Sequence, residues 1–278
     1  SSFAASYGNA AYGAMREKGC RFFMKRYVHL FSIFFRHSFA TTSAEPLDFW
    51  TYLLGKLIRM GLFFVFIFSL FRLTPTLAGY NLAGALFVFA TYNIVDIVTQ
   101  VFFFRGFYQL QTLIRLGRFD PILTYPISPL FYIAFRSFDL IDLTTLIPVF
   151  ILLSWSVAHI TVAITVAHTL LYLLLLANGF LITLSICIIF GSLTFWTDEL
   201  EHVWFFYRSA MRCGRYPVEI FRQPVWFLFT WIIPIGLLVS FPAQAFLGIL
   251  SWHLMIGAFC FSLFFFYCAL RVWRYAIQ

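Results

Sequence analysis

The sequence predicts an all-α integral membrane protein with six transmembrane helices and an N-terminal amphipathic interfacial helix. Three observations carry this prediction. Only 11% of the 278 residues are charged while 62% are hydrophobic, far from the roughly one-quarter charged composition of soluble domains. Six apolar runs are long enough to cross about 30 Å of hydrocarbon. The basic residues also fall almost entirely on one side of those runs.

The chain divides into an N-terminal region, 1–56, and a region, 57–278, that holds the spans. Residues 1–23 lack a 7–15-residue apolar stretch ending in a cleavage site, so no secretory signal is expected there. In KRYVHLFSIFFRH, 25–37, Lys25, His29, Ser32 and Arg36 fall on one helical stripe and Tyr27, Leu30, Phe31, Phe34 and Phe35 cover the other side. That pattern suits a helix in the headgroup layer with its basic stripe toward anionic lipid.

The spans are expected at about 57–73, 81–104, 138–157, 161–196, 224–242 and 246–270. The fourth run is overlong and either tilts, protrudes or breaks near Asn178-Gly179. A break giving two spans would export the last two arginines or an Arg-rich loop. Six spans with both ends inside leave Arg72 as the one basic residue of 19 outside, so the positive-inside rule selects six. The net charge of +8 therefore sets orientation against membrane lipid, and no nucleic-acid partner is expected.

Between the second and third runs lies GRFDPILTYPISPLFYIAFRSFD, 117–139, with Pro121, Pro126 and Pro129, which cannot sit inside one continuous helix. Before it, Phe107, Leu110, Leu113 and Ile114 recur at helical spacing, Gly117 offers a C-cap, and Asp120-Pro121 is a turn-forming pair. A short amphipathic helix ending in a proline elbow is expected, its apolar side either docked on a partner or lying on the membrane surface. The loop at 197–224 starts with Asp198, Glu199 and Glu201 and ends in four arginines, matching a helix dipole.

Asp96 stands inside the second run, with Asn93 three residues before it and Gln100 four after, so the three share a face. An ionisable residue there faces a bundle interior or wet cavity. It either lines a pathway or fixes helix packing. Asn178, His168 and Thr183 are weaker pathway candidates. Asp139 and Asp142 suit capping of the third span. Pro234 is expected to kink the fifth. Catalysis is disfavoured, because HExxH, GxSxG and GxxxxGK[ST] are all absent. The five cysteines form no CxxC or Cys/His cluster, so no metal site is indicated.

The stretches IRLGRFDPILTYPISPL at 114–130, GRYPVEIF at 214–221, IIPI at 232–235 and FPA at 241–243 resemble the ABC-2 family transporter proteins, the type-two permeases of ATP-binding-cassette exporters. The resemblance covers roughly residues 25 to 275. It implies a non-catalytic permease in a bacterial-type inner membrane, both termini cytoplasmic, pairing with an identical or homologous permease. It further implies two ATPase subunits that hold ATP and Mg, with no cofactor on this chain. The family's cytoplasmic coupling helix maps onto Gln109, Leu110, Leu113, Ile114, Arg115, Gly117, Arg118 and Asp120, and its elbow helix onto 25–37. The implied activity is export of a hydrophobic, amphiphilic or cationic substrate. The short turn at Pro242 leaves little room for the re-entrant helices that many relatives carry between their last two spans. The alternative is a channel-like or scaffold membrane protein without an ATPase.

Overall fold

A computed structural model describes residues 26–40, 46–160, 164–197 and 201–278. Arg16, Lys18, Cys20, Arg21, Lys25, Asp198 and Glu199 lie outside the described residues, as do residues 161–163. Among the described residues the regular structure is helical, apart from an isolated antiparallel bridge between Leu77 and Tyr80. Among the described residues, five helices are long and apolar enough to cross a membrane on their own: Phe49–Leu73, Leu82–Arg115, Asp142–His159, Val166–Leu193 and Trp252–Ala276.

Helix α1 spans 26–40. Its aromatic side does not face lipid alone: Tyr27 meets Phe131 edge-on with ring centroids 4.6 Å apart, Phe34 meets Tyr132 at 5.5 Å, and Phe31 meets Phe138 at 5.1 Å. Two backbone ties fix the contact, Ser128 N–H donating to the Tyr27 hydroxyl and Phe138 N–H to Ser38 Oγ, both at 3.1 Å. Helix α2, Pro46–Leu73, begins well before the expected 57, with a proline at its first position where the missing N–H costs nothing.

Helix α3, Leu82–Thr99, is capped by Asn81, whose Oδ1 accepts from Gly84 N–H at 2.8 Å. It runs through a π turn, Gln100–Phe104, into α4, Arg105–Arg115, forming one 34-residue helix. The amphipathic stretch is therefore an extension of the second span rather than a separate helix. Gly117 ends it at φ +63°. Its N–H bonds to Ile114 O at 3.0 Å, and Arg118 N–H bonds to Leu113 O at 2.9 Å, the paired bonds of a Schellman stop. Prolines then start the short helices α5, Asp120–Leu123, and α6, Pro129–Phe135. A 3-10 turn, Asp142–Thr145, leads into α7, Leu146–His159. Helix α8, Val166–Leu193, is unbroken at Asn178-Gly179.

Helix α3 works as a depth ruler. Its start beside Tyr80 marks one end of the molecule, here the crown, and its end beyond Phe104 marks the base. Along it climbs 201–219, built of α9, Glu201–Met211, a 3-10 turn, Arg212–Arg215, and extended residues. At the base, Trp204 packs edge-on against Phe104 at 5.1 Å and Phe190 at 5.6 Å. Midway, Gly214 lies against Tyr92, Ile235 and Val239, and Tyr216 against Phe63 at 5.5 Å. At the crown the Glu219 carboxylate accepts from the Tyr80 hydroxyl at 3.3 Å and from Gln244. By the rises of its helical and extended parts this climb covers roughly 35 Å, a full hydrocarbon thickness. The stretch 197–224, expected as an inner loop, thus holds a segment that traverses the molecule.

The run expected as span five, 224–242, does not traverse it. Val225–Ile232, with α10, Val225–Phe227, at its start, and Gly236–Phe246, with α11, Phe241–Phe246, at its end, meet at a 73° bend. Pro234 sits in the break, where Ile233 has φ −107° and ψ 81°, so it does more than kink a span. The run starts just after crown residue Glu219 and reaches Phe261 through Trp231, at 5.6 Å. It ends at the crown with Phe246 stacked on Phe87 at 4.5 Å. It is re-entrant. Pro242 lies at the start of α11, and the turn comes later, at Gly248 (φ +70°), with Ile249 N–H bonded to Gln244 O at 2.9 Å. Helix α12, Trp252–Ala276, then returns to the base, where Trp273 meets Phe195 at 5.9 Å.

Candidate functional site

The polar groups of α2, α3 and the climbing segment converge on one groove. A small cavity of about 30 Å³ is lined by Lys56, Arg59, Tyr92, Asn93, Asp96 and Arg215 among others. A second, of about 330 Å³, shares Arg59, Tyr92, Asp96 and Arg215 and adds Gln100, Arg208 and Arg212. The two adjoin at these shared residues and together form a polar groove that extends from the base to mid-depth.

Each wall has a local cause. On α3, Asn93 returns its amide to Phe89 O at 2.7 Å, and Gln100 lines the groove beside Asp96. The π turn begins at Gln100. A π turn takes one residue more than an α turn, which rotates the remainder of the helix by about 100°. Asp96 and Gln100 thereby line the groove while Phe107 and Leu110 are buried on the bundle side. On the climbing segment, Arg208, Arg212 and Arg215 recur at spacings of four and three, one helical face. Arg208 lies over the Phe104 ring at 5.0 Å, and Arg215 over both Phe63 and Tyr92 at 5.7 Å. Such stacking occupies a guanidinium face and leaves its in-plane N–H groups for an acceptor.

Lys56 is held elsewhere. Its Nζ donates to Asp142 Oδ1 at 2.7 Å, and the Tyr52 hydroxyl donates to the same oxygen at 2.6 Å. Asp142 thus clamps α7 to α2 instead of capping its own helix, which has no side-chain cap bond. Asp139 sits 3.9 Å from Arg105. Burial first, then the Asp142 charge, raise its carboxyl above the ordinary carboxylate range. A raised folded pKa stabilises the fold below the unfolded value of about 4 and loses that contribution as pH rises through the folded pKa. Asp139→Asn is expected to flatten this loss. Its melting temperature in detergent should change less than the parent's as pH is raised from about 4.

The sequence-level candidates separate. Asn93, Asp96 and Gln100 meet in the groove as their spacing implied. Asn178 does not: it is buried between α8 and α12, accepting from Ser262 Oγ and donating to Ala258 O at 3.4 Å. Gly179 beside it lets the Leu238 backbone approach, a Cβ there falling 3.3 Å from Leu238 O. The proline break at Pro234 lies outside the groove lining. Sequence reasoning missed Lys56, Arg59, Arg208, Arg212 and Arg215 as site residues, having counted them only as positive charges of the inner segments and span ends. The four-and-three spacing of the last three was the available signal.

At the base, Leu110 and Leu113 are buried and Ile114 half-buried, while Gln109 accepts from Ser137 Oγ at 3.0 Å. The expected unpartnered apolar side of this helix is instead filled by α6 and α8. Arg115, Gly117, Arg118 and Asp120 are exposed. Beside them the exposed apolar groups are Leu116 (59%), Leu123 (45%) and Tyr125 (45%). Among the described residues the tip, not the amphipathic flank, is the exposed surface.

A family model described as "ABC-2 family transporter protein" matches residues 57–278. No curated protein and no solved structure matches the chain significantly.

Proposed function

The chain belongs to the ABC-2 family of transporter proteins, and from that premise we propose that it is the permease subunit of an ATP-driven exporter. It moves an amphiphilic substrate out of the cytoplasm, and a separate ATPase subunit binds Mg and hydrolyses ATP. Two ATPase copies act on a pair of permeases, this chain and an identical or homologous partner. The base faces the cytoplasm of a bacterial-type inner membrane, with both termini on that side.

One observation carries this reading: the exposed tip at 115–125 follows directly on the helix that lines the groove. Helices α3 and α4 are one helix that ends at Arg115, so a push on its end at Arg115–Leu116 is carried along that helix to Asp96 and Gln100. The orientation is supported by Arg26, Arg36, Arg105, Arg115, Arg118, Arg136, Arg271 and Arg274, which gather at the base, whereas Arg72 and Arg222 lie toward the crown. Helix α1, packed on α6, serves as the elbow helix in the headgroup layer.

The test is a double substitution at the tip, Leu116→Asp with Leu123→Asp. The expected result is loss of the co-purifying ATPase with monodisperse permease retained, because neither side chain is buried. Retained recruitment and transport would refute the docking assignment. Absence of any ATPase from the parent complex would favour a channel-like or scaffold protein. Leu113→Asp cannot serve, since it places a charge inside the fold.

A further inference from the structure

We propose that the groove binds an anionic amphiphile: a head bearing phosphate or carboxylate, held by Arg208, Arg212 and Arg215, with an apolar chain along the neighbouring surface. This deepens the permease reading by naming its substrate class, and it rests on that reading only for the step of transport.

The charge balance carries the argument. The groove around Asp96 is lined by four guanidiniums, Arg59, Arg208, Arg212 and Arg215, against one carboxylate, a surplus of three positive charges. Lys56 and Asp142 cancel each other. Among the described residues none of the four arginines has a carboxylate within ion-pair distance. Arg215 reaches mid-depth beside Tyr92, and its Nε is buried with no hydrogen-bond partner. Uncompensated cations at that depth are costly, and a planar guanidinium fork is suited to a bidentate oxyanion. A cationic substrate would meet repulsion from three charges to satisfy one Asp96.

The tail follows from the surroundings. Phe205 and Phe206 on α9 are 67% and 61% exposed, and Ile58 on α2, next to Arg59, is 54% exposed. These apolar groups flank the arginines, so a ligand with charge at one end and hydrocarbon at the other satisfies both. The shared head chemistry admits a membrane lipid or a soluble anion, and the choice of probes separates them.

The experiment measures binding to the purified chain in neutral detergent, without ATPase. The probes are short-chain phosphatidic acid, short-chain phosphatidylcholine, inorganic phosphate and tetraphenylphosphonium. Phosphatidic acid is expected to bind most tightly and to weaken as salt rises. Arg212→Gln, an exposed site, is expected to weaken it roughly tenfold, as is Arg215→Gln, with Arg→Lys at either position recovering part of the loss. Arg72→Gln, toward the crown, should leave binding unchanged. Equal binding of tetraphenylphosphonium, or undiminished binding by both Gln variants, would overturn the anionic head. Equal binding of inorganic phosphate would overturn the amphiphile. Because no ATPase is present, failure here is distinct from failure of the docking test.

Discussion

Lys56→Met is expected to destabilise the protein by about 3–5 kcal/mol, the cost of leaving a buried charge without its partner. The Asp142 side chain is 2% exposed and the Lys56 side chain 11%, so water replaces little of what the ammonium supplied. Asp139, on the same turn, adds like charge. Tyr52→Phe removes one hydrogen bond to the same oxygen and is expected to cost less, about 1–3 kcal/mol. The combined Lys56→Met, Asp142→Leu variant should regain most of the loss, because removing both charges removes the desolvation penalty. Thermal unfolding in detergent reads all three. A Lys56→Met protein as stable as the parent would show that the clamp contributes nothing.

Gly106→Val is expected to abolish the monodisperse fold. A Cβ at Gly106 would lie 2.0 Å from the Ile133 carbonyl oxygen, a backbone atom that no rotamer change moves aside. The loss should exceed the roughly 1–3 kcal/mol typical of overpacking. Gly191→Ala brings a Cβ 2.5 Å from the Phe107 ring, a side chain that has some freedom to shift, and should cost less. Gly117→Ala meets open space but holds φ +63°, which places its cost near 1 kcal/mol. The order Gly106, Gly191, Gly117 in lost yield and melting temperature is the outcome that size-exclusion profiles and unfolding curves check. A Gly106 variant that behaves like Gly117→Ala would contradict the packing of α4 on α6.

Much of the fold was legible in the sequence because the bilayer imposes simple rules. Apolar runs around 57–73, 81–104, 138–157 and 161–196 overlap the helices α2, α3, α7 and α8, since lipid-facing surface must be apolar over about 20 residues. Gly117 and the proline elbow were visible because backbone chemistry acts locally. Asn93, Asp96 and Gln100 could be grouped by helical spacing alone. The fifth crossing was not legible. Residues 201–219 lie along α3 and pack on Phe104, Tyr92 and Phe63, so that segment need not be apolar. Residues 224–242 looked like a span because both halves are apolar: Val225, Phe227, Leu228 and Ile232 are exposed, whereas 234–242 are buried in protein, which asks for the same residue types. Hydropathy registers burial without saying what does the burying.

The same confusion displaced the arginines. Counted by sequence they were inner-loop charges, and only the climb past α3 put Arg208, Arg212 and Arg215 inside the groove. By itself the sequence determined an all-α membrane protein, its family, its basic side and a charged position at Asp96, because composition and period are local quantities. The tertiary structure alone decided which segment crosses fifth, which side of α4 is free, and the sign of the groove. Those depend on which distant residues meet: Glu219 with Tyr80, Leu110 with its neighbours, four arginines with one aspartate. A one-dimensional pattern records no such meetings.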